Sequence, residues 1–186
     1  MARQGIIFSF GDSVTSTGSA TALYPLGTIR IEETSAAVGC ETYRYVYQNE
    51  ATVTPLANGI CYKGSTKANP WEVGMDISDV KASWATGVYM SALTNTYYGW
   101  VKTKGFVSAL KKRIGTNRDW LAGDFLVASE AASGDGMAES WVSASTGESK
   151  VSGDEIHRAL ERIIGYSASV HLSTTRTGKA YVNLED

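Results

Sequence analysis

Alternation of apolar and polar residues with a period of two is the main pattern along this chain. The segment from Thr28 to Glu32 is an example, with Ile29 and Ile31 on one face and Arg30 on the other. Successive side chains of an extended strand point to opposite faces, so this spacing predicts a β-strand.

Turn residues join such runs into hairpins. The Asn58-Gly59 pair separates Ala51 to Leu56 from Ile60 to Lys63, and Asn-Gly between β-favouring runs is typical of a tight hairpin. The middle of the chain holds three further runs rich in β-branched and aromatic residues: Tyr97 to Thr103, Phe106 to Leu110, and Asp124 to Ser129. This spacing predicts antiparallel pairing rather than the strand–helix alternation of α/β proteins.

Only one segment has a clear helical period. Asp154 can cap it, Gly165 can terminate it, and five apolar side chains share one helical face: Ile156, Ala159, Leu160, Ile163 and Ile164. Asp79 to Trp84 fits one further helical turn. The predicted fold class is therefore mainly β, a small antiparallel barrel or sandwich with an extended N-terminal arm and one or two short helices.

The first 24 residues differ in character from the rest. A short apolar run, Ile6 to Phe10, is followed by small and polar residues with no helical period, and Pro25 then marks the start of the folded body. We predict an arm over residues 1–24 and a single β-rich domain over residues 25–186. A segment of this composition orders on binding a neighbour. The expected contacts on a partner's edge strand are the four large apolar residues of the arm: Ile6, Ile7, Phe8 and Phe10.

Three tyrosines, Tyr43, Tyr45 and Tyr47, share one face of a second predicted strand. A tyrosine stripe of this kind suits either a core or an interface, because the ring is apolar and the hydroxyl is polar. Both interpretations remain open from the sequence, and the three residues are a second candidate partner-binding surface.

Composition and charge restrict the possible partners. The chain has 186 residues, enough for one domain with a full core, and its net charge of -2 gives no basic excess for nucleic acid. The densest basic run, Lys111-Lys112-Arg113, is predicted to be a solvated loop. The N-terminal residues lack the features of a signal peptide and the length of a membrane span, so we expect synthesis in a cytoplasm and no membrane partner.

No cofactor and no metal site is predicted. The two cysteines, Cys40 and Cys61, are too few for a zinc site, and we expect two reduced, half-buried thiols, with a disulfide as the alternative. The segment from Asp76 to Asp79 lacks the oxygen ligands of a calcium loop. His171 is expected to lie on a strand surface rather than to bind a ligand.

One stretch resembles a catalytic motif. Ile6 to Ser13 is similar to the first block of the SGNH hydrolases, in which the serine after Gly-Asp is the nucleophile. That resemblance implies a four-residue site of nucleophile Ser13, oxyanion donor Asn117, orienting acid Asp154 and base His157. The context argues against this alternative, because that family is α/β and Val14 to Ala22 has no apolar helical face. Arg118 also interrupts the expected asparagine block, and we expect no enzyme activity.

The order of several short segments resembles the small β-rich decoration, or cement, proteins of tailed-phage capsids. The segments that carry the resemblance are Gly27, Tyr43 to Val46, Leu56 to Tyr62, Gly87 to Met90, Tyr98 to Val101 with Gly105 and Val107, Ala122 to Leu126, Ile164 to Ala168, and Ala180 to Leu184. They span most of residues 25–186. The N-terminal arm and the segment from Ser133 to Gly153 are not covered.

The resemblance implies a structural virion protein that binds the major capsid protein on the outer surface of the capsid and stabilises its lattice. It also implies a homo-oligomer, expected to be a trimer. The ten tyrosines and five tryptophans are consistent with such interfaces, which are enriched in these residues. A carbohydrate-binding or host-binding β module is a further alternative.

Overall fold

A computed structural model describes residues 11–33, 39–63, 69, 71–76, 85–113, 119–129, 135–141, 163–172 and 174–184. These residues form ten strands and no helix. The strands are β1 (Ile29–Glu33), β2 (Cys40–Gln48), β3 (Ile60–Lys63), β4 (Glu72–Gly74), β5 (Ala85–Tyr89), β6 (Tyr98–Lys111), β7 (Phe125–Ala128), β8 (Ala138–Ser140), β9 (Ile163–Ser167) and β10 (Thr177–Asn183). The prediction of a mainly β chain is confirmed.

All ten strands belong to one sheet in the order β1-β2-β4-β3-β5-β6-β10-β9-β7-β8. The pairings are antiparallel except for that of β2 with β4, which is parallel. β2 also pairs with β6, from Tyr47 opposite Tyr98 to Thr42 opposite Lys104. This extra pairing joins β2, β4, β3, β5 and β6 into a partial ring within the sheet, while β10, β9, β7 and β8 extend from β6.

The interior of the ring is filled by one apolar side chain from each of its five strands. These are Val46, Cys61, Val73, Tyr89 and Val101, and all are buried. Because side chains alternate along a strand, the neighbours of these residues point outwards from the ring.

Two further cores cover the outside of the ring. In one, Tyr43, Tyr45 and Trp100 pack beneath Val14, Tyr24 and Leu26 from the N-terminal segment. In the other, ring residues meet the C-terminal strands, and its buried members are Ile60, Tyr62, Val88, Val107, Leu110, Trp120, Leu126, Ala128, Ala138, Ile164, Ala180 and Val182. β6 contributes to all three cores, which explains why it is the longest strand.

The backbones of β9 and β10 approach each other closely where Gly165 lies opposite Val182. Gly165 has φ +152°, and a Cβ added there would lie 1.9 Å from the carbonyl oxygen of Tyr181. Only glycine fits such a gap without moving the backbone.

The predicted C-terminal helix is wrong at its end. Ile163 and Ile164 lie in β9, where Ile164 is buried in the core shared with β7 and β10 rather than on a helical face. Tertiary pairing with neighbouring strands overrides the local helical pattern here. The remainder of that segment, and the turn predicted over Asp79 to Trp84, lie outside the described residues.

Candidate binding surfaces

Strand β1 is one free edge of the sheet and carries an apolar surface. It pairs with β2 through all five residues, and no strand among the described residues covers its other edge. Ile29 and Ile31 are 49% and 66% exposed, whereas Arg30 between them points inwards. An edge of this kind, with unpaired backbone groups beside exposed isoleucines, is a template for pairing with another chain.

Asp12 explains why the arginine and not the isoleucines face inwards. The Trp100 indole Nε1–H donates to one carboxylate oxygen at 2.7 Å and the Tyr24 hydroxyl donates to the other at 2.9 Å. Arg30 donates to the Asp12 backbone carbonyl at 2.7 Å and forms an ion pair with Glu32. Residues 12–24 therefore lie against the protein's own sheet, and Asp12 is in direct contact with Arg30 of β1.

The tyrosine stripe is mainly a core feature. Tyr43 and Tyr45 are buried, and the Tyr45 ring meets Trp100 edge-on at 5.0 Å between centroids. The Tyr45 hydroxyl accepts a hydrogen bond from the Leu23 backbone amide. Burial within the chain leaves Tyr43 and Tyr45 almost no surface for a partner, while Tyr47 is half-buried beside Tyr98. The arm residues Ile6, Ile7, Phe8 and Phe10 lie outside the described residues.

A buried ionic network lies between β2 and β6. Lys102, 3% exposed, donates from Nζ to Glu41 Oε1 at 2.7 Å and to the Phe106 carbonyl at 2.7 Å. The Tyr43 hydroxyl donates to the other oxygen of Glu41. Burial and the neighbouring carboxylate raise the pKa of Tyr43 far above its usual value. The arrangement satisfies each charge and is structural.

A row of aromatic side chains crosses the opposite half of the sheet. The register places Phe106 of β6 opposite Tyr181 of β10, Tyr181 opposite Tyr166 of β9, and Tyr166 opposite Phe125 of β7. Tyr166 and Tyr181 stack at 5.2 Å, Phe106 and Tyr181 lie 5.3 Å apart, and Trp141 continues the row 6.4 Å from Phe125. Phe125 and Tyr166 are 50% and 46% exposed. We call these five side chains the aromatic row.

The basic run at the end of β6 is not the solvated loop that was predicted. Lys111 belongs to the strand, and Lys112 is buried. Its Nζ donates to the carbonyls of His171 and Leu172 at 3.0 and 2.6 Å and lies 5.6 Å from the centre of the Trp120 ring. Burial lowers the pKa of Lys112, and the two carbonyls accept from two of its three N–H donors.

His171 is held by its own loop rather than left on a strand surface. Its Nε2 accepts a hydrogen bond from the Lys179 backbone amide at 2.7 Å and lies 2.9 Å from Ser169 Oγ. The ring meets Trp120 at right angles, and burial together with Lys112 and Lys179 lowers the pKa of His171. Because Nε2 already accepts from an amide, it is poorly placed to take a proton from the serine, and the contact is structural.

The described residues of the hydrolase motif form no active site. Ser13 is exposed and bonds to Thr15 two residues away, while Asp12 is engaged as a structural acceptor. Asn117, Asp154 and His157 lie outside the described residues. The hypothesis that these four residues form a hydrolase active site therefore stays untested.

The described residues also include two cysteines and a small cleft. Cys40 is exposed and Cys61 buried, and the two do not form a disulfide. A cleft of about 240 Å³ lies between the loops containing Val53, Pro55 and Leu93. Over the described ranges, no group of three acidic, histidine or cysteine residues could hold a metal ion, and no helix is long and apolar enough to cross a membrane.

Comparison with known proteins adds no assignment. No protein family matches this chain, and no curated protein sequence matches it significantly. The function must therefore be inferred from the surfaces themselves.

Proposed function

We propose that this protein is a structural protein of a tailed-phage virion that decorates the outer surface of the capsid and stabilises the lattice of major capsid protein. The observation that carries the proposal is the free edge strand β1 with its two exposed isoleucines. The resemblance of residues 25–186 to capsid decoration proteins suggests the partner, and the edge strand suggests how it is bound. In this proposal the partial ring is the body of a small β-barrel.

The N-terminal arm is the second part of the attachment. Asp12 is held by Tyr24, Trp100 and Arg30, so residue 12 has a fixed position beside β1. We assign Ile6 to Phe10 to the edge strand of a neighbouring subunit, where their backbone joins a ladder and their side chains are buried. The proposed assembly is a trimer, a number that comes from the resemblance.

The free energy gained by burying the exposed isoleucines of β1 is small at one attachment site and becomes larger when several sites bind together. Fully burying an isoleucine contributes about 1.5 to 3 kcal/mol, so burying the exposed parts of Ile29 and Ile31 contributes about 2 to 3 kcal/mol together. Such a term decides occupancy when several attachment sites act together in an oligomer.

The test measures binding to empty shells assembled from the major capsid protein of the same virus. Ile29→Lys/Ile31→Lys places two charges on the edge, and we expect at least a tenfold loss of affinity in co-sedimentation, about 1.4 kcal/mol or more. Leu56→Lys is the matched control, because Leu56 is an exposed apolar residue on a loop outside β1. Unchanged binding of the double variant would refute the attachment site, and no binding of the unaltered protein would refute the function.

A second variant tests the arm. Deletion of residues 2–10 leaves Asp12 and its partners in place, whereas a longer deletion would remove side chains that cover Tyr45 and Trp100. We expect the shortened protein to be monomeric by light scattering and to bind shells weakly. An oligomer of unchanged size would show that the domain alone carries assembly.

A further inference from the structure

The aromatic row begins on β6 and runs away from the ring, and its two exposed rings, Tyr166 and Phe125, lie on β9 and β7, beyond β10. Four of its five rings come from β6, β10, β9 and β7, which are neighbouring strands, and the fifth, Trp141, directly follows β8. Neighbouring strands are about 4.8 Å apart, so the four cross-strand positions span about 15 Å. This length suits an extended ligand rather than a single small molecule.

The rings are fixed before any ligand binds. Tyr166 and Tyr181 stack with an angle of 27° between their planes, and Phe125 packs on Trp141. Rings with two rotatable bonds that already pack on one another lose little conformational entropy on binding. The row therefore resembles a preformed site more than a set of solvent-exposed core residues.

Two lysines lie on the same face of the sheet as the row, and the acidic Glu139 on that face is paired with Arg113. Along β10, Lys179 and Asn183 alternate with Tyr181 and share its exposed side. On β6, Lys104 lies opposite Asn183, two residues from Phe106. The two lysines thus lie on opposite sides of the row, and the surface combines apolar rings, tyrosine hydroxyls and two cations.

We infer that the aromatic row is a binding site for an extended acidic glycan. Pyranose units present an apolar C–H face, which packs on aromatic rings, and a rim of hydroxyls, which can bond to tyrosine hydroxyls and Asn183. A carboxylate on the sugar would lie near Lys104 or Lys179. A single-stranded nucleic acid would also stack on such rings, but it carries a phosphate at each unit and needs a basic groove along its length. Two lysines in a protein of net charge -2 do not supply that groove.

The test is native gel electrophoresis of the full-length protein in gels that contain a soluble polysaccharide. Alginate supplies a linear uronate chain and dextran a neutral one, and labelled oligo-dT is the nucleic-acid probe in a mobility-shift assay. We expect alginate to retard the protein, and Tyr166→Ala or Phe125→Ala to weaken the retardation about tenfold. Lys179→Gln should weaken binding to alginate and leave the weaker effect of dextran unchanged.

Leu56→Ala is the matched control, because it shortens an exposed apolar side chain on the loop between β2 and β3, outside the strands that carry the row. Tyr166 and Phe125 are half-exposed, so their alanine variants should keep the circular dichroism spectrum of the unaltered protein. Absence of retardation by both polysaccharides, or equal retardation of Tyr166→Ala, would overturn the inference. Retardation by dextran alone would overturn the inference that the glycan is acidic. A mobility shift of oligo-dT without retardation by alginate would show that the row binds nucleic acid instead. None of these results depends on capsid binding.

Discussion

Replacing Lys102 with methionine should be one of the most damaging single changes in the ring. The substitution keeps the length and apolar stem of the side chain but removes the cation that faces Glu41 at 2.7 Å. Glu41 then keeps only the Tyr43 hydroxyl among the side-chain partners described here. Removing one partner of a buried ion pair costs about 3 to 5 kcal/mol, because the other charge stays buried without compensation.

The magnitude follows from burial. The side chains of Lys102 and Glu41 are 3% and 11% exposed, so solvent screening of the pair is slight. Lys104→Met is the matched control, because Lys104 is an exposed lysine two residues away on the same strand. A surface ion pair is worth about 0 to 1 kcal/mol, and we expect a change of that size in the control.

The assay is urea unfolding followed by tryptophan fluorescence, with Glu41→Gln/Lys102→Met as a third variant. Neutralising the carboxylate should restore at least about 1 kcal/mol relative to Lys102→Met alone, since the buried charge is gone. If Lys102→Met loses no more stability than Lys104→Met, the ionic network contributes nothing and the argument fails. A double variant no more stable than Lys102→Met alone would also refute it.

Three further predictions concern the same domain. Gly165→Ala should lower the free energy of unfolding by more than about 2 kcal/mol, because the added Cβ meets the Tyr181 carbonyl, whereas Gly11→Ala, with open space around it, should change little in the same urea assay. Burial raises the pKa of Tyr89 well above 10, so above pH 10 the folded state keeps a proton that the unfolded state releases. The free energy of unfolding should therefore fall as the pH rises above 10, and tyrosinate absorbance should appear together with unfolding. The pKa of His171 is lowered, so its contribution to stability is present above pH 6.5 and is lost as the pH falls below it; His171→Gln should reduce this acid dependence in urea midpoints measured from pH 7.5 to 5.

Local patterns predicted several strands but not all of them, and they did not predict which face of a strand is buried. The prediction of a strand over Ala51 to Leu56 is wrong, because the structure has no strand between Gln48 and Ile60. The alternation of β1 predicted the strand correctly, but it could not show that Arg30 points inwards and its isoleucine neighbours outwards. The reason is a partner outside the strand: Asp12 and Trp100 come from distant parts of the chain and give the arginine a polar environment. Lys112 is a similar case, since its acceptors lie about sixty residues further along the chain.

The aromatic row could not be predicted from the sequence for a related reason. Its members belong to strands far apart in the sequence, and each alone is an ordinary strand aromatic. Only the register, which places Tyr166 between Phe125 and Tyr181, brings them into line. The tyrosine stripe on β2 was visible because its members lie on one strand, but the sequence could not decide between core and interface. Packing of the N-terminal segment decides it for Tyr43 and Tyr45.

The continuity of the ring along the chain has a consequence for biosynthesis. Strands β2 to β6 follow one another in sequence order between Cys40 and Lys111, and the buried side chains of the ring interior all come from these strands. The ring can therefore close on the ribosome before the C-terminal strands have been synthesised. Until they arrive, Ile60, Tyr62 and Val88 on its outer side lack their cover. A nascent chain that ends after β6 would thus have a closed ring with an exposed apolar surface on one side. Exposed apolar surface of this kind promotes aggregation, so we expect chaperone binding at this stage of translation.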